Sequence, residues 1–185
     1  MRNDQRHSAT ATTAKSAPAS PGRRAALYGA LTALALVAGY LEMLVPLPVS
    51  VPGIKLGLGN AVVLFALERL GAKPALLLML AKVACSTILF GNPQVLVFSL
   101  AGGALSWGIM ALAVRSGAFS VWASSVLGGI SHNAGQLLMV AALLSPQLAL
   151  ANLPVLAVAG CICGAAIGVL VRAVLAAVPQ EAIDA

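Results

Sequence analysis

PALLLMLAKVACSTILFGNPQVLVFSLAGGALSWGIMALAVR, residues 74–115, decides the fold. Between Lys73 and Arg115 it carries a single charge, Lys82, and its one strong break is Gly91-Asn92-Pro93. Glycine, asparagine and proline in series end helices and make turns. The apolar run on either side is long enough, as a helix, to cross a hydrocarbon core of ~30 Å. Nothing alternates at period two, which excludes a transmembrane β-barrel. Two membrane helices joined by a tight turn are the simplest reading.

The same pattern extends in both directions. Apolar spans are expected near 25–46, 56–71, 74–91, 95–114, 121–144 and 152–176. They are separated by Pro46/Pro48/Pro52-Gly53, Gly71/Pro74, Gly91-Asn92-Pro93, Ser116-Gly117, Ser145-Pro146 and Asn152/Pro154. The prediction is an all-α integral membrane bundle of six transmembrane helices over residues 23–178. The second and third spans are short for the bilayer, so tilt or shielding by neighbours is expected for them. Residues 1–22, rich in Ser, Thr, Ala and Pro with scattered charge, read as a disordered cytoplasmic tail, and 179–185 as a short second tail.

Composition supports a lipid environment. The 185 residues are 60% hydrophobic and 9% charged, where a soluble domain carries roughly a quarter charged residues. The net charge of +6 does not indicate nucleic acid, because the basic residues stand singly or in the tail and aromatics are only 4%. Cys85, Cys161 and Cys163 all lie in apolar runs and suggest neither a disulfide framework nor a zinc site. The first apolar run is too long for a signal-peptide core and is expected to be retained.

On a six-span topology Arg2, Arg6, Lys15, Arg23, Arg24, Arg69, Lys73, Arg115 and Arg172 fall on one side, against Lys55 alone on the other. The positive-inside rule then places both termini in the cytoplasm of a multi-pass cell-membrane protein.

Seven polar residues remain where lipid should be the solvent: Glu42, Lys55, Asn60, Lys82, His132, Asn133 and Gln136. A lysine at the centre of a span costs about 2.5–3.5 kcal/mol on insertion scales, so a polar partner must meet Lys82. It either pairs with Glu42 to lock two helices or binds a substrate, and the two roles are compatible. At about 1.5 Å per residue, Glu42 and Asn60 lie about 6–7 Å below the outer ends of their spans, Lys82 and Gln136 about 12 Å, and His132 about 18 Å. Gln136, four residues after His132, shares its helical face. A polar cluster open to the outside describes a solute pocket, with a weak preference for a neutral or anionic ligand. Each member also has a plainer reading. His132 suits a hydrogen-bonded packing role, and Lys55 suits a headgroup-zone residue snorkelling outward.

Catalysis is not expected. Between Asp4 and Asp184 no aspartate occurs, and within residues 23–178 Glu42 and Glu68 are the only glutamates. Magnesium-dependent diphosphate chemistry needs clustered carboxylates. No phosphate-binding loop ending in Gly-Lys-Ser/Thr is present, and the ~12 Å difference in depth between Glu42 and His132 argues against a shared acid–base site. No cofactor is expected.

Small residues form a second pattern. Ala26, Gly29, Ala30 and Ala33 line the first half of span one, and Gly160, Gly164 and Gly168 recur every four residues in span six. Such spacing allows close helix–helix approach in lipid, within the bundle or against another membrane protein.

At this point Pro52-Gly53-Ile54-Lys55-Leu56-Gly57-Leu58-Gly59-Asn60 resembles a signature of the Gx transporter family, a group also described as heptaprenyl diphosphate synthase component I. Leu89-Phe90-Gly91-Asn92-Pro93, Ser99-Leu100-Ala101-Gly102-Gly103 and Ser131-His132-Asn133-Ala134-Gly135-Gln136 are similar to its other motifs, in order. Lys82 stands where the family often has arginine. The resemblance spans about 25–176 and implies a bundle similar to the substrate-binding S components of energy-coupling factor (ECF) transporters. It implies capture of a vitamin-like solute from outside, and docking, through small residues on the first helix, onto a membrane coupling protein with two cytoplasmic ATPases. The competing expectation is a non-catalytic membrane subunit or anchor in an isoprenoid, quinone or membrane redox system.

Overall fold

The computed structural model describes residues 20–44, 57–90 and 93–184, and all regular structure among them is helical. Six helices build the bundle: α1 (Pro21–Met43), α2 (Asn60–Arg69), α3 (Ala72–Phe90), α4 (Pro93–Ser116), α5 (Val121–Leu143) and α6 (Pro146–Ala177). A single turn, α7 (Glu181–Asp184), follows. Five of the six, all but α2, are long and apolar enough to cross a membrane. The chain is a multi-pass membrane protein. The expected tail 1–22 and the loop carrying Lys55 lie outside the described residues, except that Pro21 and Gly22 already belong to α1.

α2 departs from the expected span 56–71. Its ten residues reach about 15 Å, half a bilayer core. Val62 through Leu67 are all buried, and α2 touches α1, α3, α4, α5 and α6. A helix covered on every side needs no lipid-facing stripe, so its continuous apolar run reads like a span although it is an internal plug. It stops at Gly71, whose φ of +91° lets the Leu70 and Gly71 amides turn back onto the Ala66 carbonyl.

α6 departs in the other direction. It starts at Pro146 instead of 152 and runs for 32 residues through Pro154. Proline supplies no amide for the carbonyl four residues earlier, but a buried bundle helix can bend around that loss. Nearby, the buried Asn152 donates its side-chain amide to the Leu148 carbonyl at 2.8 Å. Ser145 caps the start, accepting from the Leu148 amide at 3.0 Å.

The most extensive contacts join α5 to α6 and α4 to α5, and glycine makes them. A Cβ placed on Gly160 would meet the Gly129 carbonyl oxygen at 2.9 Å, and one on Gly164 would meet Val126 Cα at 2.8 Å. One on Gly135 would strike Gly102 Cα, also at 2.8 Å. α1, in contrast, packs chiefly on α3 and α2. At one end of the bundle Arg69, on α2, donates to the carbonyls of Leu175 and Val178 (2.9 Å to the latter), and Arg23 reaches the Ile183 carbonyl. A cation suits the carbonyl-rich C-terminus of α6. These contacts gather the start of α1, the end of α2 and the end of α6 at one basic end.

Candidate functional site

Toward the opposite end, residues from four helices and the turn before α2 surround one small cavity of about 20 Å³. Ala35, Gly39 and Glu42 of α1, Gly57 of the turn, Lys82 and Ser86 of α3, Ser99 of α4 and His132 of α5 line it. That volume holds about one water. Glu42, Ser86, Ser99 and His132 are all buried, so charge and polarity are concentrated in a closed chamber within an apolar bundle.

The glycines before α2 explain how the chamber closes. Gly57 has φ +88°, a conformation costing an L-residue about 1–2 kcal/mol. Its amide donates to the Glu42 carboxylate. A Cβ there would approach the His132 ring carbon Cδ2 at 3.1 Å and Asn60 Nδ2 at 3.0 Å. Gly59 leaves room for the lysine, since a Cβ would lie 2.9 Å from Lys82 Nζ. The Lys82 ammonium donates to Asn60 Oδ1 at 3.4 Å, and Asn60 Nδ2 donates to Ser106 Oγ at 3.2 Å. Ser106 donates onward to the Gly128 carbonyl at 2.9 Å. Across the chamber Gln136 Nε2 lies 3.0 Å from His132 Nε2. Gly102 admits this pair, because a Cβ would meet the His132 carbonyl oxygen at 2.8 Å and Gln136 Cγ at 3.0 Å.

The structure therefore gathers Glu42, Asn60, Lys82, His132 and Gln136. Lys55 lies outside the described residues. Asn133 does not join them. Successive helical residues point about 100° apart, and Asn133 turns to α6, where its Nδ2 donates to the Leu156 carbonyl at 2.7 Å. The depth argument separating Glu42 from His132 is corrected as well, since both line one chamber. Counting residues along straight spans ignores the turn at Gly57, which touches both side chains.

Ser86, Ser99 and Ser106 were not singled out by sequence. A serine in a membrane helix commonly bonds its own backbone, as Ser86 does to the Val83 carbonyl. Only the motif Ser99-Leu100-Ala101-Gly102-Gly103 hinted at one of them. Ser99 Oγ, lining the chamber, has no hydrogen-bond partner, nor has Asn133 Oδ1 on the other side of α5. A buried polar atom left unpaired costs roughly 1–3 kcal/mol.

Ala26, Gly29, Ala30 and Ala33 of α1 are all exposed, and a Cβ on Gly29 would meet nothing within 4 Å. Among the described residues no group of three or more His, Cys, Asp or Glu is placed to hold a metal ion.

A family model described as heptaprenyl diphosphate synthase component I matches residues 31–174. The chain belongs to that family. No curated protein and no solved structure matches it. In this heptaprenyl diphosphate synthase component I chain the matched range starts within α1 and ends within α6, so it takes in every described residue of the chamber.

Proposed function

We propose that the chain is the membrane-embedded substrate-binding subunit of an uptake system for a small vitamin-like or cofactor-precursor solute, working with a partner ATPase module. One observation carries this: Glu42, Lys82, Ser99 and His132, from four different helices, converge on one buried chamber away from the basic end, with Asn60 of α2 bonded to Lys82. A structural lysine needs one partner. Here several chemically distinct groups meet, and one of them, Ser99, has a hydroxyl with no bond partner. A solute pocket is typically 300–1,000 Å³, so a chamber of about 20 Å³ is the closed state and must open to load.

α1 is suited to that motion. It packs chiefly on α2 and α3, contributes Ala35, Gly39 and Glu42 to the chamber, and exposes Ala26, Gly29, Ala30 and Ala33 outward. One helix thus touches both the solute and the face on which a membrane coupling protein with cytoplasmic ATPases docks. The basic end faces the cytoplasm by the positive-inside rule, with both termini on the cytoplasmic side of the cell membrane and the chamber nearer the outer leaflet. The chamber lining carries one amine, Lys82, and one carboxylate, Glu42, which suits a neutral or anionic solute. On this reading the chain binds and does not catalyse: one carboxylate, one amine and one imidazole at the chamber are too few ligands for the magnesium that diphosphate transfer requires.

Native mass spectrometry of the gently purified, full-length protein tests this. A co-purifying small molecule, lost in Lys82→Met, is expected together with an associated ATPase. Recovery of neither would sink the reading. The family description favours a second one, a non-catalytic membrane subunit of an isoprenoid- or quinone-related system. In that case Lys82→Met impairs assembly with a synthase or redox partner and leaves solute uptake unchanged.

A further inference from the structure

A second hollow lies apart from the polar chamber. Between α5 and α6 lies an apolar groove of about 530 Å³, walled by residues including Asn133, Ala134 and Leu137 of α5 and Pro146, Leu153 and Ala157 of α6. No charged side chain lines it. Leu153 on its rim is 47% exposed, so the groove opens on the outer surface of the bundle, toward the bilayer. Its volume falls in the range of small-molecule sites.

Its wall contains one polar feature. Asn133 is 1% exposed. Its orientation is fixed, because the Leu156 carbonyl can only accept and so takes Nδ2, at 2.7 Å. Oδ1 is left over, buried and without a donor. Protein interiors seldom leave an amide oxygen so, and Asn133 is one of the residues that wall the hollow.

The geometry points to a binding site in this groove for a neutral, lipid-soluble molecule that carries a hydroxyl group on an apolar body, the hydroxyl donating to Asn133 Oδ1. Ordinary membrane lipid cannot do this. Acyl chains can fill the hollow, but they bring no donor, and phospholipid headgroups stay at the interface. Asn133 lies twelve residues into α5, which spans Val121–Leu143, about 18 Å from its start and near mid-bilayer. A charged headgroup at that depth is disfavoured. A neutral hydroxyl on an apolar body fits both the walls and the orphaned acceptor. The site is separate from the solute chamber: Asn133 and His132 are on different faces of α5, and neither depends on the other's ligand.

The test uses full-length protein in phosphatidylcholine nanodiscs and two photoactivatable probes, a diazirine-bearing long-chain alcohol and its methyl ether. The alcohol is expected to label the segments around Leu137 and Leu153, and the ether to label them roughly five- to tenfold less, the worth of one hydrogen bond. Ala157→Phe, which fills the groove and leaves the Asn133 side chain in place, is expected to abolish labelling. Asn133→Leu is expected to make the two probes equivalent. The alcohol–ether comparison and Ala157→Phe stand without it should that variant fold poorly. Equal labelling by both probes in the unaltered protein would reduce the groove to ordinary lipid contact and overturn the proposal. So would labelling elsewhere, or a second copy of the chain cross-linked across the groove. Solute uptake plays no part in any of these outcomes.

Discussion

The two sides of α5 are built on opposite principles. Toward α6, helix backbones touch: notional Cβ atoms on Gly160, Gly164 and Gly168 would all lie at 3.0 Å or less from backbone of α5. Toward α1, α2 and α3, the contacts run through long or polar side chains, Lys82, Glu42, Asn60 and His132, around a residual cavity. In lipid no hydrophobic effect drives helices together, so close backbone approach is what gives a rigid seam. Polar side chains give a weaker wall that a ligand can enter. Glycine packs α4, α5 and α6 into one close-set frame, and on the proposed function α1, α2 and α3 form the front that opens.

The sharpest way to break that contrast is to widen the seam. Gly164→Val would press against Val126 Cα and the Ser125 carbonyl oxygen, atoms that cannot rotate away. Overpacking of this kind costs about 1–3 kcal/mol or more, and thermal unfolding in detergent should show a large drop or no recoverable protein. A variant as stable as the parent would mean that the frame is not rigid.

The front should respond in binding before it responds in stability. Lys82→Met removes the ammonium that donates to Asn60 Oδ1 and leaves an unbranched side chain of similar length on the chamber wall. A hydrogen bond to a charged group contributes about 1.5–3 kcal/mol, so solute affinity should fall roughly 10- to 100-fold with little change in melting temperature, and Lys82→Arg should restore part of it. Loss of folding in place of affinity would make Lys82 a structural lock.

Gly57→Ala sharpens the comparison at the hinge between the two sides. The φ of +88° and the nearby His132 ring predict a cost of about 1–2 kcal/mol. Because the Gly57 amide holds the Glu42 carboxylate, affinity should fall along with stability, unlike in Lys82→Met. Isothermal titration alongside thermal melts separates the two.

Much of this was legible in the sequence, and the misses share a cause. Apolar length and turn residues located α3, α4 and α5 to within a few positions, because a span exposed to lipid must be continuous. The same rule misjudges α2, whose apolar run reflects burial by protein on every side, and α6, where Pro154 reads as a break although the helix passes through it. Intramembrane polar residues exposed most of the chamber, since their cost demands a reason. Sequence did not show which way each one faces. Asn133 follows His132 directly yet serves the other side of α5, and Ser99 and Ser106 cost too little to stand out until their neighbours are known.

The smallest expected stability effect falls on α1. A Cβ on Gly29 meets nothing within 4 Å, and Ala26, Ala30 and Ala33 beside it are exposed. Gly29→Leu should therefore leave the stability of the isolated protein within about 0.5 kcal/mol of the parent, or raise it slightly through better helix propensity. A side chain that costs nothing in the monomer can still block close approach of a second helix. Solute binding to the purified protein should persist while co-purification of the ATPase module and uptake in cells are lost. Should Gly29→Leu leave uptake intact, the outward face of α1 is ordinary lipid contact, and the coupling partner must be sought at the basic end instead.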